Sequence, residues 1–216
     1  MLTMLEEVVL LAVDERTGGL RSTREFGTAY ALVGAVFFDL ALARKIDTDT
    51  ETIHIVDCAP TGNPTLDRVL AKMSQRPELK TVRDWIEELF LERADLEGEA
   101  LASLIASGVL RHEKSKLLWI IDVDRFPLVD NQPQQYVKTR LANAILSEGI
   151  PDTRDIMLVS VAEACGLLGY IVSDADLKRR KERIQVLTNL ETISRKVREA
   201  ILGLDRSARA VAGRMM

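Results

Sequence analysis

The sequence predicts a mainly α protein: a single domain around one buried central apolar helix, with small β-hairpins at its periphery. Three observations point there. Residues 28–42, TAYALVGAVFFDLAL, carry one formal charge, Asp39. A second stretch, IMLVSVAEACGLLGYIV at 156–172, carries only Glu163. Most other apolar residues recur with the helical period, and only short runs read as strands. Buried strands usually stop at about 4–8 residues, so the length of 28–42 favours a helix. Such a helix rises about 22 Å, short of the roughly 30 Å hydrocarbon core of a bilayer. It is therefore expected as core, with 156–172 as its natural partner.

The elements follow in order. Thr3 and Glu6 have the spacing of a capping box, opening a helix to about Val13 with Leu5, Val8, Val9 and Ala12 inward. DERTGG at 14–19 is a turn before the central helix, and Arg44 and Lys45 suit that helix's C-terminus. Lys45–Thr48 and Thr52–Val56 read as a hairpin. A loop, 57–65, leads to a helix opened by Pro64, with Leu66, Val69, Leu70 and Met73 on one stripe. Thr81 caps a helix to Phe90, with Asp84 in the capping-box place. LERADLEG reads as a charged linker to a helix at 99–107, ended by Gly108. VLRHE and LLWIID, separated by KSK, read as a second hairpin. Residues 125–135 are irregular and apolar in part, with Pro127 and Pro133 disrupting them. Helices follow at 135–148, at 156–172 with Asp155 as cap, and at 175–202 as one long amphipathic element. Ala162, Ala164, Gly166 and Gly169 are expected to permit close approach to the central helix. The domain is expected over 1–203, with a weakly ordered tail at 204–216.

Composition narrows the function. The 216 residues are 47% apolar and 29% charged, enough for a core without metal or disulfide. The net charge of -4 gives no global pull toward nucleic acid or acidic membranes. Cys58 and Cys165 lack metal-site spacing and are expected as reduced thiols. Glu6 and Glu7 near the start argue against a secretory signal, and the expected location is cytoplasmic.

Catalytic motifs are missing. There is no dinucleotide or phosphate-binding glycine loop, no G-x-S-x-G and no H-E-x-x-H. Asp57 with Asp67, the two histidines His54 and His112, and Cys58 are each more simply read as structural or exposed. A non-enzyme with no cofactor and no metal is expected. Three surfaces stand out for binding. Helix, helix and hairpin over 81–120 resemble part of a winged helix, but its second helix, at 99–107, has no Arg or Lys, so no nucleic acid is expected. Phe126, Pro127, Leu128 and Val129 form a candidate loop for a membrane interface or a second subunit. Lys178, Arg179, Arg180, Lys181 and Arg183 form a basic cluster, read first as solvated surface.

Several stretches together are similar to the Golgi phosphoprotein 3 family, or GPP34 domain, including its bacterial members. They are LTMLEEVVLLAVDERTGGL, YALVGAVFFDLALARKI, APTGNPTLDRVLAKM, TVRDWIEEL, LIASGVLRHE and RFPLVDNQPQQYVKTRL, with VLTNLETISRKVREAI matching more loosely. The resemblance implies a mainly helical fold around a buried apolar helix. It also implies peripheral binding to phosphatidylinositol 4-phosphate membranes, recruitment of glycosyltransferase tails, and a hydrophobic hairpin that enters the bilayer and takes part in oligomer contacts. The stretch matched to that hairpin is FPLVDNQPQQ. The family's lipid pocket uses a Trp and an Arg around the approach to the central helix, and two Arg before the helix ending in GVL. These positions fall on Arg24 and Val33, and on Ala94 and Glu97, with Arg93 recovered by a one-residue shift. Valine and glutamate cannot clamp a phosphate as arginine does. The expectation is therefore an altered phosphoinositide site with Arg24, Arg93 and Arg140 as candidate head-group ligands. The expected partners are an anionic phospholipid membrane, at its inner face, and further copies of the chain in a homo-oligomer. The alternative is a cytosolic protein-interaction scaffold that self-associates through 126–135.

Overall fold

The computed structural model describes residues 1–21, 27–49, 52–117 and 121–212. Helix α1 (Met4–Ala12) begins with the predicted capping box, and all four amides at its start find acceptors. Thr3 N–H donates to Glu6 Oε2 at 2.7 Å, and Glu6 N–H donates to Thr3 Oγ1 at 3.1 Å. Met4 and Leu5 N–H donate to the two Asp39 carboxylate oxygens at 3.0 and 3.2 Å. Asp39 belongs to α2 (Gly27–Leu42), the central helix. Its charge therefore caps a neighbouring helix, since first-turn amides have no partner within their own helix.

The next elements sit at the edge of the core. Strands β1 (Ile46–Thr48) and β2 (Ile53–Ile55) pair antiparallel, with Ile46 opposite Ile55. Helix α3 (Pro64–Gln75) opens on Pro64 behind an Asn63 cap, and buries Leu66, Val69, Leu70 and Met73 as the periodicity predicts. Helix α4 (Val82–Phe90) has the Thr81–Asp84 capping box and buries Val82, Trp85, Ile86 and Leu89.

The expected charged linker is instead the start of α5 (Arg93–Ala106). Leu96, Ala100, Leu101 and Leu104 are its buried stripe, and the acidic residues around them had masked that stripe. Glu92 and Glu99 pair with Arg68, and Glu92 with Lys72, tying this start to α3. The second hairpin also lies further along than predicted. Strands β3 (Glu113–Leu117) and β4 (Ile121–Arg125) pair Glu113 with Arg125, so KSK lies inside a strand. The part of the predicted strand at Leu118, Trp119 and Ile120 lies outside the described residues.

Helix α6 (Gln132–Leu146) begins three residues early, because Pro133 falls in its first turn, where no amide is needed. Helix α7 (Thr153–Cys165) is capped by Asp152, not Asp155. It stops at Gly166, whose φ of 78° provides a left-handed helix end, and a 3-10 turn (Leu167–Tyr170) follows. The predicted long helix is three: α8 (Asp174–Arg179), α9 (Lys181–Leu187) and α10 (Thr192–Ala212). Arg180 and Arg183 explain the first break. They donate to the Leu146, Ala144 and Gly149 carbonyls at the end of α6. Arg180 and Arg183 of the basic cluster thus serve a helix C-terminus, where positive charge is favoured.

Helices α1, α4, α5, α7 and α10 pack around α2. The close approach to α7 comes from Gly34 of α2, not from Gly169. A Cβ at Gly34 would lie 2.8 Å from Val161 Cγ2 and 3.0 Å from Val197 Cγ1, whereas one at Gly169 would meet open space. Charge also binds the helices. Arg140 Nη1 of α6 donates to Glu7 Oε1 of α1 at 2.7 Å, and Arg140 also pairs with Asp155 of α7. Arg154 donates to Leu2 O at 2.7 Å, and its guanidinium lies 3.2 Å from Glu7 Oε2 and 3.9 Å from Asp39 Oδ1.

Two predictions follow from this core. Gly34→Val should destabilise the protein by about 3 kcal/mol through overpacking, read as a lowered urea midpoint. Unchanged stability would show that α7 and α10 can move aside. The second concerns Asp39. Burial pushes its carboxyl up from 3.8 to about 6, although its two amide bonds favour the charged form. A raised acid pKa contributes stability below the unfolded value of about 3.9, and that contribution is lost as pH rises through the folded value. The stability of Asp39→Asn relative to wild type should therefore improve by about 2–3 kcal/mol between pH 4 and pH 7 in urea unfolding. A pH-independent difference would refute the buried ionisation.

Candidate functional site

Arg24 lies outside the described residues. Arg93 stands at the first position of α5. Its guanidinium lies 4.6 Å above the Phe90 ring, and Nη1 donates to Phe90 O at 3.0 Å. Phe90 in turn packs on Tyr30 of α2 with centroids 4.8 Å apart. The central helix therefore props up an aromatic pair, and that pair holds a cation at the surface. Among the described residues Arg93 has no carboxylate partner. Glu97, one turn along the same face, also stands without an ion pair among those residues, and burial raises its carboxyl pKa. Val33 is fully buried, so no head group can reach that position.

Arg140 has a different environment. It lines a cavity of about 500 Å³ with Glu7, Asp130, Tyr136, Asp152 and Arg154. Burial alone would lower its pKa, but its hydrogen bonds to Asp155 and Glu7 outweigh that and raise it. The guanidinium is thus permanently charged and already neutralised. Three carboxylates and two guanidiniums line this cavity, so its field does not favour an anion.

The 126–129 segment packs inward. Phe126 N–H donates to Gly18 O at 2.6 Å, Arg111 N–H to Pro127 O at 3.0 Å, and Val129 N–H to Val109 O at 2.9 Å. Phe126 and Leu128 lie against the core, Phe126 also stacks on His112 at 5.4 Å, and Pro127 is half-buried. Only Val129, 60% exposed, faces out strongly. The hairpin in this part of the chain is β3–β4, which ends just before Phe126.

The remaining candidates do not assemble. Asp57 is engaged by Lys45 at 2.5 Å. Asp67 accepts from Thr61 Oγ1 at 2.6 Å, Thr61 N–H at 2.5 Å and Gly62 N–H at 3.3 Å, so it shapes the 61–63 loop. These bonds lower both carboxyl pKa values, the first through Lys45 and the second through Thr61. His54 pairs with Asp49 and His112 with Asp124, all on exposed side chains. Cys58 is exposed with Ser74 Oγ at 3.8 Å. Among the described residues no group of three or more His, Cys, Asp or Glu is placed to hold a metal ion. No described helix is long and apolar enough to cross a membrane.

Arg93 is thus a cation held on the Phe90 ring with no carboxylate partner among the described residues. Periodicity could not single it out, because it reads as one charge among many in LERADLEG. No curated protein sequence matches this chain. A family model described as Golgi phosphoprotein 3 (GPP34) matches residues 4–203, and the chain belongs to that family.

Proposed function

We propose that the protein binds peripherally to anionic phospholipid membranes, holding a head group at the start of α5 without making or breaking a bond. The observation that carries this reading is the family match over 4–203. Arg93 supports it as a surface cation with no internal carboxylate, and Arg24 is its proposed companion. A single Arg near an anionic surface contributes about 1 kcal/mol, so a second contact is required. The apolar sequence LLWII at 117–121 is proposed to supply it. The family is not known as an enzyme family, and the candidate carboxylates Asp57 and Asp67 are engaged by Lys45 and Thr61. The buried Val33 and the carboxylate of Glu97 argue for general anionic recognition over a strict phosphatidylinositol 4-phosphate site. The proposed location is the cytoplasmic face of a membrane.

Co-sedimentation with vesicles tests this. Binding is expected with phosphatidylserine-containing vesicles and not with neutral ones, and should weaken with salt. Arg93→Glu should reduce it several-fold, while Glu97→Gln should strengthen it by removing a charge on the same face. Equal binding to neutral vesicles, or indifference to Arg93→Glu, would overturn the reading. Added phosphatidylinositol 4-phosphate should give no advantage beyond its charge.

A further inference from the structure

A cavity of about 460 Å³ lies between the end of α2, strand β1 and the start of α10. Its charged lining is Arg44, Asp47 and Glu191. None of the three makes an ion pair among the described residues. Arg44 is also the one non-glycine residue with positive φ among those residues, at 56°. Its amide donates to Ala41 O and the Lys45 amide to Leu40 O, each at 2.9 Å, which closes α2 with a left-handed turn. Glycine is the usual residue there, because a Cβ is strained in that conformation. Yet the exposed Arg44 side chain makes no hydrogen bond among the described residues. A strained position whose side chain does nothing for its own fold points to a ligand.

The rest of the lining describes that ligand. Thr48 belongs to it, and Thr48 Oγ1 is buried without a hydrogen-bond partner among the described residues. Buried hydroxyls are nearly always paired, so this one suits a wall that meets a polar occupant. Ile46, Val56, Met157 and Ile193 supply an apolar part of the same lining. One guanidinium and two carboxylates thus stand unneutralised beside apolar side chains. A simple anion would meet a net negative lining, and a metal ion would be repelled by the guanidinium. A molecule with one carboxylate, two ammonium groups and a methylene chain satisfies all three charges.

We propose that this cavity binds a basic α-amino acid of the lysine class. Arg44 takes its carboxylate through paired hydrogen bonds, and Asp47 and Glu191 take its two ammonium groups. The apolar lining receives the methylene chain, which buries readily while its charged ends stay paired. Arg93 has no part in this site, so it stands or falls apart from the head-group reading.

Isothermal titration of the full chain with L-lysine, L-norleucine and L-glutamate tests the proposal. Saturable binding of lysine is expected. Norleucine, which lacks the second ammonium, should bind at least tenfold more weakly, and glutamate more weakly still. Arg44→Gln and Glu191→Gln should each weaken lysine binding at least tenfold. Arg44→Gly should abolish binding while raising the melting temperature by a few degrees, a combination that separates a ligand role from a structural one. No saturable lysine binding at millimolar concentration overturns the proposal, and so does lysine binding that both glutamine variants leave intact. Norleucine binding as tightly as lysine overturns the assignment of the second ammonium.

Discussion

The structure depends on a carboxylate in the least polar part of the chain. Asp39 sits in a helix otherwise made for burial, and burial opposes its ionisation. It is retained there because α1 arrives with its first amides pointing into the core. Unpaired buried amides cost about 1–3 kcal/mol each, so two acceptor oxygens at that place decide how α1 docks. The adjacent Glu7, Arg140, Arg154 and Asp155 extend this contact to α6 and α7. Apolar packing alone would let the helices slide, but directional bonds fix one arrangement.

That constraint decides which cations remain for binding. Arg140 is taken by Glu7 and Asp155, Arg180 and Arg183 serve the end of α6, and Arg68 belongs to the α3–α5 ladder. An arginine in the sequence is therefore a poor guide to an arginine at the surface. Arg93 differs because it rests on the Phe90 ring and carbonyl with no carboxylate partner among the described residues. A ring face holds a guanidinium without neutralising it, and the cation keeps most of its donors.

The central helix and its period, both capping boxes and the amphipathic stripe of α3 were legible because local rules govern them: apolar run length, Thr-x-x-Glu or Thr-x-x-Asp spacing, and the 3.6-residue repeat. The misreadings share a cause in tertiary contact. LERADLEG looks like a linker until α3 supplies partners for Glu92 and Glu99. The 175–202 stretch keeps its apolar phase across two breaks, so periodicity could not reveal them. Asp152 and Asp155 are equally good caps on paper, and Asp155 is removed from that role by Arg140. The glycine of the central run, Gly34, signals close packing but not what meets it, because the side chains facing it come from Val161 and Val197, far along the chain.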